Sequence, residues 1–441
     1  MFEAKYKEKE YKSKEITTVL MKIEQVKSES FSHLTTKLQN FIDNNETGSI
    51  LCAVYHKGKM VYCDKFGWRD KENNIPIEFD DIFRIYSMTK PIVSLAALIL
   101  HEEGKFNLDD PIEIFLPEFK NIRILKSYNH ETGDTELEEA KNKITLKHLF
   151  THTSGLSYGF YPGIPVDKLY GEKFGFVGEN RTKSVLESFP KLDILDEFSK
   201  KLASLPLIFE PGTNMWYGFN HDVLGLLIEK LSSKKLDVFL KERIFDKLSM
   251  NDTSFYVSEE NRNRLAKPYM KKQDRELIEV KGEISGGFDS KPAFLSGGAG
   301  LVSTLEDYLK FTLMLLNGGE YAGNQIVSSK TIELMTSNQL QDGKTYLDMQ
   351  YIKVEDPELI EMTEGYGFGL GVVVKIAKNR AKSGIGDYGW AGAANTLFRI
   401  DPTNQVIIIV FSQHIPPDNN WIQPITTDEI QSLVYDSLSI D

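Results

Sequence analysis

Phe83-Arg84-Ile85-Tyr86-Ser87-Met88-Thr89-Lys90-Pro91-Ile92 is the stretch that decides how the rest of this 441-residue chain is read. It sets a serine and a lysine three residues apart at the start of a strong helix pattern over 92 to 101. Ile92, Leu95, Ala96 and Ile99 share one face of that pattern, and Gly104 is its stop signal. Proline at 91 supports the placement, since proline is tolerated in a first turn and not in a helix interior. Residues i and i+3 lie on one helix face, so the Lys90 amine can approach the Ser87 hydroxyl. A serine becomes a competent nucleophile when a neighbouring base accepts its proton, and a partly buried lysine can have its pKa lowered enough to serve. Free backbone N–H groups at a helix start also favour the oxyanion that forms when serine attacks a carbonyl.

Ser-x-x-Lys alone is a weak motif and occurs three times, at Ser87-Lys90, Ser188-Lys191 and Ser232-Lys235. Pro190 disfavours a helix across the second, and the third sits in a polar break between helical patterns. Gly155-Leu156-Ser157-Tyr158-Gly159 matches the Gly-x-Ser-x-Gly nucleophile elbow, but neither the strand before it nor the helix after it is present in the pattern. His148 and His152 are four residues apart without the acidic helper of a His-Glu-x-x-His site, so structural roles are expected for both. The glycine-rich stretch Gly365 to Gly371 fails Gly-x-Gly-x-x-Gly in every register and reads as a strand passing close to other backbone.

The composition, 41% hydrophobic and 26% charged, is that of a globular protein with a large core. Fifty-two basic against 64 acidic residues give a net charge of −12, so nucleic acid is not an expected partner. The longest apolar run, Ile92 to Leu100, is about half of what roughly 18 to 20 residues of membrane span require, so no membrane partner is expected. Without an apolar leader at the N-terminus, the reading is cytoplasmic. Cys52 and Cys63 flank a hairpin turn at His56-Lys57-Gly58-Lys59. With Lys57-Gly58 as a two-residue loop they fall opposite one another, although two free thiols are the better expectation.

Residues 1 to 29 read as a solvated, charged helical extension. Residues 30 to 105 and 296 to 441 read as an α/β domain, an antiparallel sheet with helices beside it. The loop-rich segment 106 to 295, with helices near 144–151, 192–203, 221–233 and 235–245, reads as an inserted helical domain. A helix is expected near 304–317 and β-rich runs at 366–376, 394–400 and 405–411. The run Val406 to Phe411 has the continuous apolarity of a strand buried on both faces.

Tyr86-Ser87-Met88-Thr89-Lys90-Pro91 is followed in order by Leu108-Asp109-Asp110-Pro111, Thr151-His152-Thr153-Ser154-Gly155-Leu156, and Pro211-Gly212-Thr213 with Trp216-Tyr217. Then come Asp222-Val223-Leu224-Gly225, Gly297-Gly298-Ala299-Gly300-Leu301, Gly389-Trp390-Ala391-Gly392-Ala393 and Asp401-Pro402. Together these resemble the serine β-lactamase and penicillin-binding-protein superfamily, in its class C β-lactamase-like branch with the family VIII carboxylesterases. The resemblance covers roughly residues 30 to 415.

The resemblance implies a β-lactamase/transpeptidase-like fold with Ser87 as acylated nucleophile, Lys90 as its base and Tyr217 as proton relay. It also implies an oxyanion hole from the backbone N–H groups of Ser87 and Ala393, and substrate contacts from Trp390, Ala391, Gly392, Phe219 and Asn220. A phenol beside an ammonium is expected to have a lowered pKa. Two departures from the β-lactamase pattern bear on substrate. Tyr217 is followed by Gly218-Phe219, with Asn220 displaced by one from the Tyr-x-Asn motif. Trp390-Ala391-Gly392 stands where Lys-Thr-Gly is usual, which removes a cation suited to a substrate carboxylate. A small-molecule acyl ester is thus the preferred substrate, with no cofactor and no metal. A β-lactamase, D-amino-acid peptidase or amidase, an acyltransferase, and a catalytically silent binding protein are the alternatives.

Overall fold

The apolar run at 406–411 becomes the centre of the molecule. In the computed structural model, which describes residues 23–161, 163–174, 194–272, 276–280, 288–353, 355, 357–415 and 428–440, eight strands form one sheet. They are β1 (Ser49–His56), β2 (Lys59–Asp70), β3 (Ile75–Pro76), β4 (Tyr366–Phe368), β5 (Val373–Lys375), β6 (Tyr388–Gly392), β7 (Thr396–Asp401) and β8 (Val406–Ser412). The order is β4-β5-β6-β7-β8-β1-β2-β3, with every neighbouring pair antiparallel. β8 is buried throughout, as its sequence predicts.

Side chains alternate between two cores because successive Cβ atoms point to opposite faces. Ile407, Ile409 and Phe411 join Leu51 and Ala53 on one face. Val406, Ile408 and Val410 join Ile50, Cys52 and Val54 on the other. The second face is covered by α1 (Ser32–Asp43), through Leu34 and Leu38, and by α5 (Asp428–Ser437), through Ile430 and Val434. The first face carries α2 (Thr89–Glu102) and α4 (Leu305–Leu316), and beyond them α3 (Asn220–Ser232) packs on α2. Pro91 sits in the first turn of α2 as predicted. Gly104, at φ +73°, ends the helix in the left-handed conformation that suits glycine.

Three expectations need correction. The cysteines do not face one another: a bulge between Val54 and Tyr55 shifts the hairpin register, so Cys52 pairs with Asp64 and Cys63 with Ala53. One residue of slip sends the two thiols to opposite faces, and both are free and buried. The run 366–376 is two strands, β4 and β5, separated around Gly371 at φ +89°. The N-terminal extension lies outside the described residues up to residue 22. Val26, however, exchanges both backbone hydrogen bonds with Cys63 (2.9 Å each) and Ile23 is buried, so this stretch is extended chain on β2.

Sequence reading did not anticipate α5 or the short hairpins Arg123–Tyr128 with Thr135–Glu139 and Tyr269–Lys271 with Leu277–Glu279. No helix among the described residues is long and apolar enough to cross a membrane.

Candidate active site

Ser87 lies in a 3₁₀ turn, Tyr86–Met88, that runs directly into α2. Tyr86 holds φ +42°, an uncommon conformation for a residue with a side chain, of the kind that clusters at functional sites. The turn is tied down from behind, where the Tyr308 hydroxyl of α4 donates to the Met88 carbonyl at 3.0 Å. One turn on, Lys90 is buried, with its Nζ 3.3 Å from Ser87 Oγ and 2.8 Å from the Gly298 carbonyl. The Tyr217 hydroxyl donates to Ser87 Oγ at 2.7 Å, and Lys90 Nζ sits 4.4 Å from the centre of the Tyr217 ring. The three residues the sequence singled out, scattered over 130 positions, thus meet at one oxygen.

Electrostatics divide the trio. Burial lowers the Lys90 amine from its ordinary value to about 7, against an opposing pull from Asp222. Burial pushes the Tyr217 phenol up, assisted by Asp222 and Tyr346 and opposed by its hydrogen bond to Ser87. This reverses the expected lowering of the Tyr217 pKa: removal from water outweighs a neighbouring cation whose own charge is disfavoured. Burial thus favours the protonated phenol at Tyr217 and the neutral amine at Lys90.

Asp222 and Gly298 are the residues that sequence reasoning passed over as mere motif members. Asp222, buried on α3, accepts from the Ser296 hydroxyl (2.6 Å) and the Gly298 N–H (3.2 Å), and so fixes the loop whose Gly298 carbonyl receives Lys90. A Cβ at 298 would lie 2.7 Å from both Asp222 Oδ2 and the Tyr158 hydroxyl, so a side chain there would displace one or both. A carboxylate directly ahead of the apolar run Val223, Leu224, Leu226, Leu227 and Ile228 was the available signal.

Trp390, Ala391 and Gly392 lie on β6, with the Trp390 ring 6.0 Å from that of Tyr217. The end of β6 runs against the turn that holds Ser87: Thr396 Oγ1 donates to the Ile85 carbonyl (3.3 Å), and a Cβ on Gly392 would lie 2.4 Å from that oxygen. This brings Ala393, the next residue, to the neighbourhood of Ser87. Phe219 and Asn220, expected as substrate contacts, present no surface to a cleft in this structure. Both are fully buried, because α3 starts at Asn220 and turns them inward. Phe219 packs on Tyr158, Phe174 and Phe198, and Asn220 hydrogen-bonds Ser154 and His152.

The competing motifs resolve as scaffold. Ser157 is fully buried, donates to the Asp167 carboxylate and accepts from Trp216 Nε1 at 2.8 Å. Lys235 is an exposed partner of Glu229, while Ser188 and Lys191 lie outside the described residues. His148 is held in the capping box of the helix Leu146–Phe150, apart from His152. The glycine stretch does pass close to backbone, since a Cβ on Gly369 would lie 2.2 Å from the Met335 carbonyl.

A helix-flanked antiparallel sheet with serine, lysine and tyrosine meeting at a helix start is the arrangement of the β-lactamase family, and the chain belongs to it: the Beta-lactamase family model matches residues 34–423. Among relatives, Protein Rv1367c of Mycobacterium tuberculosis is 32% identical over 370 residues, covering 82% of this chain and 85% of that protein. Esterase EstB of Burkholderia gladioli is 30% identical over 278 residues, covering 60% and 64%. Monacolin J acid methylbutanoyltransferase of Aspergillus terreus is 26% identical over 399 residues, covering 86% and 89%. The solved structure of simvastatin synthase (LovD) from Aspergillus terreus shares the fold, with a TM-score of 0.74 at 23% identity over 93% of this chain and 98% of that one. Hydrolytic and acyl-transfer enzymes thus stand on both sides of this sequence.

Proposed function

We propose that the protein is a serine hydrolase that cleaves carboxylic esters of small molecules through an acyl-enzyme on Ser87. The observation that carries this reading is the convergence on Ser87 Oγ of the Tyr217 hydroxyl at 2.7 Å and the Lys90 amine at 3.3 Å. Neutral Lys90 takes the Ser87 proton as Oγ attacks the ester carbonyl. The backbone N–H groups of Ser87 and Ala393 receive the developing oxyanion. Tyr217, a phenol held against Oγ, passes its proton to the departing alkoxide and is reprotonated by the Lys90 ammonium, which returns both groups to their starting forms while the acyl group remains on Ser87. Water then repeats the sequence with the same proton path and releases the acid. Trp390-Ala391-Gly392 in place of Lys-Thr-Gly supports a neutral ester over a β-lactam or D-amino-acid peptide.

Acyl transfer is the second reading, favoured by the likeness to a methylbutanoyltransferase over 86% of the chain. In that case an alcohol replaces water at the second step.

Intact-mass spectrometry after treatment with a fluorophosphonate probe tests the first step. One adduct is expected, on the peptide holding Ser87 and absent in Ser87→Ala; no adduct there overturns the reading. Turnover of a p-nitrophenyl ester well above that of a chromogenic cephalosporin is expected, and the opposite ranking would favour the β-lactamase. An added alcohol that captures the acyl group in preference to water would favour the transferase.

A further inference from the structure

His152 occupies a place that its backbone does not favour. Its φ is +57°, in the left-handed region usually filled by glycine or asparagine, and three residues on the same turn uses Gly155 at φ +84°. The ring is fully buried, its centre 4.7 Å from the Tyr217 ring at a 40° tilt, and 5.0 Å from the His221 ring behind it. Its backbone carbonyl accepts from the Trp216 N–H at 2.9 Å, so both the main chain and the side chain of this one residue bear on the segment that presents Tyr217.

The ring is also locked in orientation. The Leu156 N–H donates to Ser154 Oγ at 3.1 Å, the Ser154 hydroxyl donates to Asn220 Oδ1, and Asn220 Nδ2 donates to His152 Nδ1 at 2.9 Å. An amide Nδ2 can only donate, so His152 Nδ1 accepts and the proton of the neutral ring resides on Nε2, which meets no hydrogen-bond partner among the described residues. Behind it, His221 meets Ser94 Oγ on α2 at 3.0 Å, on the helix that carries Lys90. Two imidazoles in contact, tilted by 33°, therefore lie between the helix that carries Lys90 and the turn that backs Tyr217. A hydrogen-bonded imidazole does there what a phenylalanine could not: it presents a flat face whose rotation is blocked.

We infer that His152 is a positioning residue for Tyr217, its ring clamped by Asn220 and His221 so that the Tyr217 hydroxyl stays on Ser87. The inference rests on the reading of Ser87 and Tyr217 given under Proposed function. Burial and nearby Lys90 keep both imidazoles neutral, so the pair supplies placement without adding a second positive charge beside Lys90.

The test is the rate of fluorophosphonate labelling of Ser87 in the full chain, for wild type, His152→Gly, Tyr217→Phe and the double variant. Glycine relieves the backbone at 152 and removes only the ring. His152→Gly is expected to keep the wild-type thermal midpoint within a few degrees and slow labelling at least fivefold. On a p-nitrophenyl ester it should lower kcat with KM within about twofold. In the Tyr217→Phe background the same change should alter labelling less than twofold, because the group it positions is gone. Unchanged labelling in the single variant, or an equal loss in both backgrounds, would overturn the inference. Should His152→Gly not fold, His152→Asn, which tolerates the left-handed conformation and lacks a ring, carries the same expectations. Wild type that takes no label at Ser87 overturns the hydrolase reading and this inference together; labelled wild type with an unaffected variant overturns only the inference.

Discussion

Ser87 and Ser157 make an instructive pair. Each sits in a short motif associated with nucleophilic serine, and each oxygen has two hydrogen-bond partners. Ser157 even touches a carboxylate, nominally a base. Its hydroxyl is nonetheless spent: the proton goes to Asp167, the lone pair receives Trp216, and no surface is left for a carbonyl to approach. Asp167 is occupied as well, accepting from the Gly159 (3.0 Å) and Tyr161 (3.1 Å) N–H groups to hold the loop. Ser87 is only half buried, faces an amine with a lowered pKa, and stands where a helix begins. A base within reach is thus insufficient; the oxygen must also be open on one side and flanked by donors for the charge that develops.

The largest break in that comparison is to delete each oxygen. Ser87→Ala should lower p-nitrophenyl ester turnover at least about a hundredfold, while Ser157→Ala retains most of it. A reversed pattern in the same assay would exchange the two assignments.

A smaller effect separates scaffold from chemistry. Asp167→Asn places an amide N–H₂ against a backbone N–H in a buried pocket, which should cost about 1–3 kcal/mol of stability. A lowered thermal midpoint with fluorophosphonate labelling of Ser87 retained is the expected result. Loss of labelling in folded protein would make the 157–167 loop part of the machinery.

The finest test concerns the amine. Lys90 acts as base only when neutral, which is the form above its pKa, so kcat/KM on a neutral ester should rise with pH through about 7 and then level. Asp222 favours the charged amine, so Asp222→Asn should move the rising limb to lower pH. Stopped-flow pH profiles of the two proteins would show the displacement, and a limb that moves upward would exclude Lys90 as the titrating group.

Much of this was legible in the sequence where one signal was strong enough to stand alone. The continuous apolarity of Val406 to Phe411 and the period of Ile92 to Ile99, with proline before and glycine after, announced the central strand and the helix that carries Lys90. Where a single residue changes the outcome, local reading failed. Nothing in His56-Lys57-Gly58-Lys59 announces the bulge that separates the cysteines. Asn220 was assigned by its distance from Tyr217 along the chain, whereas the start of α3 decides which way it points. The Tyr217 pKa went astray because pairwise charge is visible in sequence and burial is not. Asp222 was quoted without a role because its partners, Ser296 and Gly298, come from a distant loop.

The sheet joins the two ends of the chain at its middle, with Ile50 beside Ser412 and His56 beside Val406. During synthesis, the edge of β1 that pairs with β8 therefore stays open until the distant β8 has been made. Trp390 and Ala393 also emerge long after Ser87, so the cleft is assembled from segments made far apart in time. Pairings this remote in sequence fold slowly and leave strand edges exposed to other chains meanwhile. The turn that holds Ser87 is consequently made long before the strands that complete its surroundings.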